Sequence, residues 1–157
     1  MVVKMENVAV ITKTANQPLW LSNFVNVYQT LSTTNLGLLT TVYHENIVFI
    51  DPMHQVEGLE QLQCYFANLY QNLSTCHFSI EKVLLENDSA AIYWQMSYQH
   101  PKLNKGNTVT VDGHSHIRGM QDKVIYHRDY LDLGAMLYEQ LPLFGKLTKW
   151  IKTKAAK

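Results

Sequence analysis

A chain of 157 residues has the length of one domain and is long enough to bury a sizeable core. Its apolar fraction of 46% and charged fraction of 17% belong to a globular protein, which excludes a disordered or low-complexity class. Lys and Arg number 13 and Asp and Glu number 13, so no overall charge draws the chain to nucleic acid, and no nucleic-acid partner is expected. The first twenty residues hold no basic segment followed by an apolar one, and no apolar run approaches the roughly 18 residues of a membrane span. A cytoplasmic location is the expectation. Nine Tyr, five Phe and three Trp are a generous supply of aromatic rings, of the kind that often line a pocket for a hydrophobic small molecule.

Residues 1 to 16 show weak patterning and are expected to be a mobile flank. Pro18 suits the first turn of a helix whose apolar face is Leu21, Phe24, Val25, Tyr28 and Leu31. Ser32-Thr33-Thr34-Asn35 ends it, and Leu36 to Tyr43 reads as a second, shorter helix. Ile47 to Ile50 is a short strand ending at Asp51-Pro52. Gly58 opens a third helix with Leu59, Leu62, Phe66 and Leu69 on one face. The period then changes to two, and segments near 74–86, 89–100, 107–118 and 123–131 read as four strands in a meander. Along the third of these, Val109, Val111, Gly113, Ser115 and Ile117 share one face, while Thr110, Asp112, His114, His116 and Arg118 share the other. A last helical stretch begins near Gly134, with a bend or break at Pro142 and Gly145. This order is α+β without βαβ alternation, and the whole of 1–157 reads as one domain with its core at about 18–140.

Cys64 and Cys76 have no metal or redox spacing and read as two buried thiols. The basic, amphipathic end of the chain mixes Leu141, Leu143, Phe144, Leu147, Trp150 and Ile151 with five lysines. Packing over a pocket mouth or a partner subunit is the favoured reading, and contact with a membrane surface the less favoured one.

Two motifs carry a resemblance to a known family. Tyr43-His44-Glu45-Asn46-Ile47-Val48-Phe49-Ile50-Asp51-Pro52, followed by Gly58 and the helix beyond it, resembles the NTF2-like superfamily. His127-Arg128-Asp129-Tyr130-Leu131-Asp132 is similar to the closing strand of its SnoaL-like and limonene-epoxide hydrolase members. The resemblance covers about residues 18 to 140. It implies an NTF2-like cone, with three N-terminal helices packed on a curved, mixed, mostly antiparallel sheet and a C-terminal helical tail. It also implies a homodimer made through the outer face of the sheet.

Family roles transfer position by position. In ketosteroid isomerases the Asp of the Asp-Pro pair moves a proton, which corresponds to Asp51. Their oxyanion-hole Tyr corresponds to Tyr28, and their second oxyanion donor falls near Ser115. Of the epoxide-hydrolase Asp–Arg–Asp triad, Asp129 matches one carboxylate, whereas Trp94 and Met96 stand at the other two positions. The acid/base Asp of polyketide-cyclase members also falls near Asp129. The chain thus keeps parts of several family sites and the whole of none.

The residues themselves leave alternatives. Asp51 is either a proton carrier facing inward or the start of a turn with Pro52. His127 and Asp129, two apart on a strand, leave by the same face and either share catalytic work or form a structural pair. Tyr28 is either an oxyanion donor or a core phenol. Trp94, Met96, Ser115, His54 and Leu131 are the expected pocket lining, with core packing the alternative for Trp94 and Met96. His114 and His116 lack a third ligand, so no metal is expected, and neither is a cofactor. The function expected is acid–base catalysis of isomerase, cyclase or hydrolase type on a hydrophobic compound. The alternative is a ligand-binding or protein-interaction module.

Overall fold

The computed structural model describes residues 17–155. The flank expected at 1–16 lies outside them. Helix α1 (Leu19–Thr30) follows Pro18 and buries Trp20, Leu21, Phe24, Val27 and Tyr28. The second helix is shorter than its apolar pattern suggests. A 3-10 turn at Leu36–Leu38 leads into α2 (Leu39–Val42), and Tyr43 already belongs to β1 (Tyr43–Ile50). Pairing decides this, because Tyr43 lies opposite Val124 in the sheet, and ladder bonds override a weak local helical preference. A three-residue strand, β2 (Gln55–Glu57), precedes α3 (Leu59–Tyr70) and went unread because it is too short to show a period.

Four long strands follow: β3 (Thr75–Glu86), β4 (Ser89–Gln99), β5 (Val109–Met120) and β6 (Lys123–Leu131). The sheet runs in the order β2-β1-β6-β5-β4-β3. Among the described residues only β1 and β6 pair in parallel. Register shifts between Ile80 and Lys82 and between Arg118 and Gly119 bend the sheet, and α1 and α3 pack against it. The β5–β6 hairpin turns on Gln121 and Asp122, both at positive φ.

The chain closes with α4 (Leu133–Met136), a 3-10 turn at Tyr138–Gln140 and α5 (Pro142–Ala155). The break expected at Pro142 and Gly145 lies instead at Leu137–Leu141, ahead of Pro142. Pro142 opens α5, where its missing N–H costs nothing, and the helix runs through Gly145. Cys76 is buried but Cys64 is exposed, on the outward face of α3 away from Leu62 and Phe66. Among the described residues no helix is long and apolar enough to cross a membrane.

Candidate functional site

A cavity of about 270 Å³ opens between α1, α3, α4 and the inner face of the sheet. Strand parity places the sheet's share of its wall. Phe78 on β3, Trp94 and Met96 on β4, and Asp129 and Leu131 on β6 all face inward. Tyr28 of α1 and Met136 of α4 complete that part of the lining, which apart from its Asp, Tyr and His groups is apolar.

Trp94 lies flat against β5 because residue 113 is glycine. A Cβ there would sit 2.3 Å from the indole Cη2. The close approach brings the indole N–H to Ser115, to whose Oγ it donates at 2.8 Å. Ser115 in turn donates to Asp129 Oδ1 at 2.5 Å. The same oxygen is 2.7 Å from His127 Nε2. On the far side of the imidazole, Nδ1 is 2.6 Å from the Tyr43 hydroxyl, which is 2.5 Å from the hydroxyl of Tyr28. Six side chains from four strands and one helix thus form one connected polar chain inside an apolar core.

The chain has a consistent set of proton positions. With Asp129 ionised, Nε2–H donates to the carboxylate, Nδ1 accepts from Tyr43, and Tyr43 accepts from Tyr28. Burial pushes the Tyr28 and Tyr43 phenols well above their ordinary value, with the negative charge of Asp129 adding to it, so both hydroxyls remain donors. His127 is wholly buried. Its ring meets Phe24 and Phe49 edge-on, with centroids at 5.4 and 4.9 Å, and stacks on Tyr43 at 5.9 Å. Packing therefore fixes its orientation. No described group bonds Asp129 Oδ2, and this carboxylate is 18% exposed, on the cavity wall. In this arrangement every hydrogen bond points from Tyr28 through Tyr43 and the imidazole toward Asp129, so a concerted shift along them would deliver a proton to the carboxylate from the Tyr28 phenol, which lines the same cavity.

Asp51 also lines the cavity, but its oxygens are engaged locally. Oδ1 accepts from the backbone N–H of Met53 at 2.7 Å and of His54 at 2.8 Å, and Oδ2 accepts from the Tyr65 hydroxyl. This is the Asx turn with Pro52, tied to α3. Tyr28 meets Tyr43 rather than Asp51. Two residues expected on the lining are elsewhere. His54 is exposed outside the cavity, with its ring edge-on to Tyr65 at 5.3 Å. Ser115 is buried behind Trp94 and supports the wall from beneath.

Tyr43, Tyr65, Phe78 and Met136 were not singled out from the sequence. Strand parity from Tyr43 through Ile47 and Phe49 signals the first of them once β1 is started early enough. His114 lies on the outer face, stacked between Tyr93 and Tyr130 at 5.5 and 4.8 Å. Among the described residues no three His, Cys, Asp or Glu side chains are grouped to hold a metal ion.

The model of the SnoaL-like domain family matches residues 24–127. The chain belongs to that family. Among solved structures, this SnoaL-like chain is similar to a protein from Jannaschia sp. CCS1 described as a SnoaL-like polyketide cyclase. The TM-score is 0.65 and the identity 16%, over 76% of this chain and 89% of that one. A ketosteroid isomerase-like fold protein from Catenulispora acidiphila DSM 44928, in complex with trimethylamine, gives a TM-score of 0.68 at 18% identity, over 81% and 96%. An LEH-like epoxide hydrolase from M. tuberculosis gives 0.60 at 11%, over 74% and 83%. At such identities the likeness is one of fold. Among curated proteins, none matches the sequence.

Proposed function

We propose that this SnoaL-like protein is a cofactor-independent acid–base enzyme that moves a proton on a hydrophobic, cyclic carbonyl compound, in a reaction of isomerase or cyclase type. One observation carries the reading: Asp129 presents a free carboxylate oxygen to an apolar cavity while its other oxygen is held by Ser115 and His127. A base fixed in this way needs little reorganisation when it takes a proton from carbon. Oδ2 accepts the α-proton, the electron pair moves onto the carbonyl oxygen, and the proton returns to carbon or to that oxygen. Asp129 is preferred over Asp51, whose oxygens are occupied by the turn and by Tyr65. A volume of about 270 Å³ lies near the low end for ligand sites, roughly 300 Å³ upward, and favours a compound smaller than a steroid.

The test is deuterium uptake from D2O into a panel of small cyclic ketones, followed by mass spectrometry. The protein should catalyse exchange next to the carbonyl of at least one ketone, and Asp129→Asn should slow it by about 100-fold or more. A second reading, a pocket that holds its ligand without turnover, is favoured by Trp94 and Met96 at positions where the family's hydrolases activate water. A rise in Tm with the panel but no exchange would establish that reading and sink the first.

A further inference from the structure

Helix α5 exposes Leu143, Phe144, Leu147, Trp150 and Ile151, at fractions from 50% to 82%. Their spacing puts all five on one face of the helix. The side chains are held outward by contacts on the opposite face. There Gly145 is buried against the backbone of Glu139, so closely that a Cβ would lie 2.4 Å from its carbonyl oxygen. Lys152 bonds to Glu139 and lies 3.5 Å from Asp132, whose carboxylate caps α4 through the Ala135 N–H. The helix is thus fixed with its polar side down and its apolar side out. The expectation that this face covers the cavity mouth is not met, since no residue of α5 lines the cavity.

Charge points to what covers it. From Pro142 to the end the chain carries Lys146, Lys149, Lys152, Lys154 and Lys157 with no acidic residue, although the whole chain is neutral. Lys146 and Lys149 are exposed beside the apolar face. Two copies of α5 laid face to face would bring these lysines together, which disfavours a second copy of this chain as the occupant. At 14 residues the helix is about 21 Å long, too short to span a bilayer and suited to lie in its surface. We propose that α5 is an interfacial anchor that seats on a bilayer containing anionic lipid, with Phe144, Leu147, Trp150 and Ile151 in the acyl boundary and Lys146 and Lys149 at the headgroups. The proposal is independent of any chemistry in the cavity.

Co-sedimentation of the full chain with vesicles tests it. The protein should pellet with phosphatidylcholine–phosphatidylserine vesicles and bind phosphatidylcholine alone at least about tenfold more weakly. Trp150→Ser with Ile151→Ser should lose binding by about tenfold or more, and Lys146→Glu with Lys149→Glu should do the same on anionic vesicles. All four side chains are exposed, so an unchanged melting curve is the check on folding. A wild type that stays in the supernatant with both vesicles, or variants that pellet like the wild type, would overturn the proposal. So would a concentration-dependent dimer abolished by the Trp150→Ser and Ile151→Ser pair.

Discussion

Tyr43 joins the Tyr28 phenol to the imidazole of the buried polar chain, and among the described residues nothing else bonds both. Tyr43→Phe leaves His127 Nδ1 without a donor and removes the acceptor of Tyr28, each in a dry environment. The expected loss of stability is about 1–3 kcal/mol, read from urea unfolding. Any proton transfer that runs through Tyr28 should slow with it, while a reaction confined to Asp129 should keep its rate in the fraction that stays folded. His127 and Asp129 were legible as a same-face pair because strand alternation fixes which way they point. Their partners were not. Tyr43 is 84 residues from His127 in the chain, and only the parallel pairing of β1 with β6 brings it there. Local spacing carries no trace of such a contact. Asp51 could be read from sequence as a carrier or as a turn residue, and the two readings separate only when its three donors are seen.

The strands were the most readable elements, since β4, β5 and β6 alternate over many residues and one face of each is buried. The short helical pieces were the least readable. The run 36–42 has helical spacing but too few residues to resist the pairing of Tyr43, and β2 has no period at all. Gly113 shows how one residue serves a whole strand. Its bare Cα lets the Trp94 ring lie across β5 and reach Ser115. Gly113→Ala drives a methyl into the indole and forces it off, with an expected cost of about 1–3 kcal/mol in chemical denaturation. Ser115, which donates to Asp129, loses its indole donor in the same step, so any proton transfer at Asp129 should slow further than the folded fraction falls.

Across the whole molecule, burial raises the pKa of Tyr28, Tyr43 and Tyr70 well above the ordinary value of 10.0 and lifts that of Tyr98 to about 12. The sign of the linkage follows. The folded state holds these protons where the unfolded chain gives them up, so stability is level below pH 10 and falls as pH rises beyond it. Thermal melts from neutral to strongly alkaline pH should show this decline, and it should be shallower for Tyr43→Phe, which has one such phenol fewer. A flat profile would mean that the phenols are solvated. The flat seat of Trp94 has an optical consequence as well. Its ring faces the cavity and its N–H reaches Asp129 through one serine, so its emission responds to polarity at the wall and to charge on the carboxylate. With Trp20 and Trp150 replaced by Phe, the protein carries its own dye in the cavity, and ligands can be titrated by light before any of them is known to react.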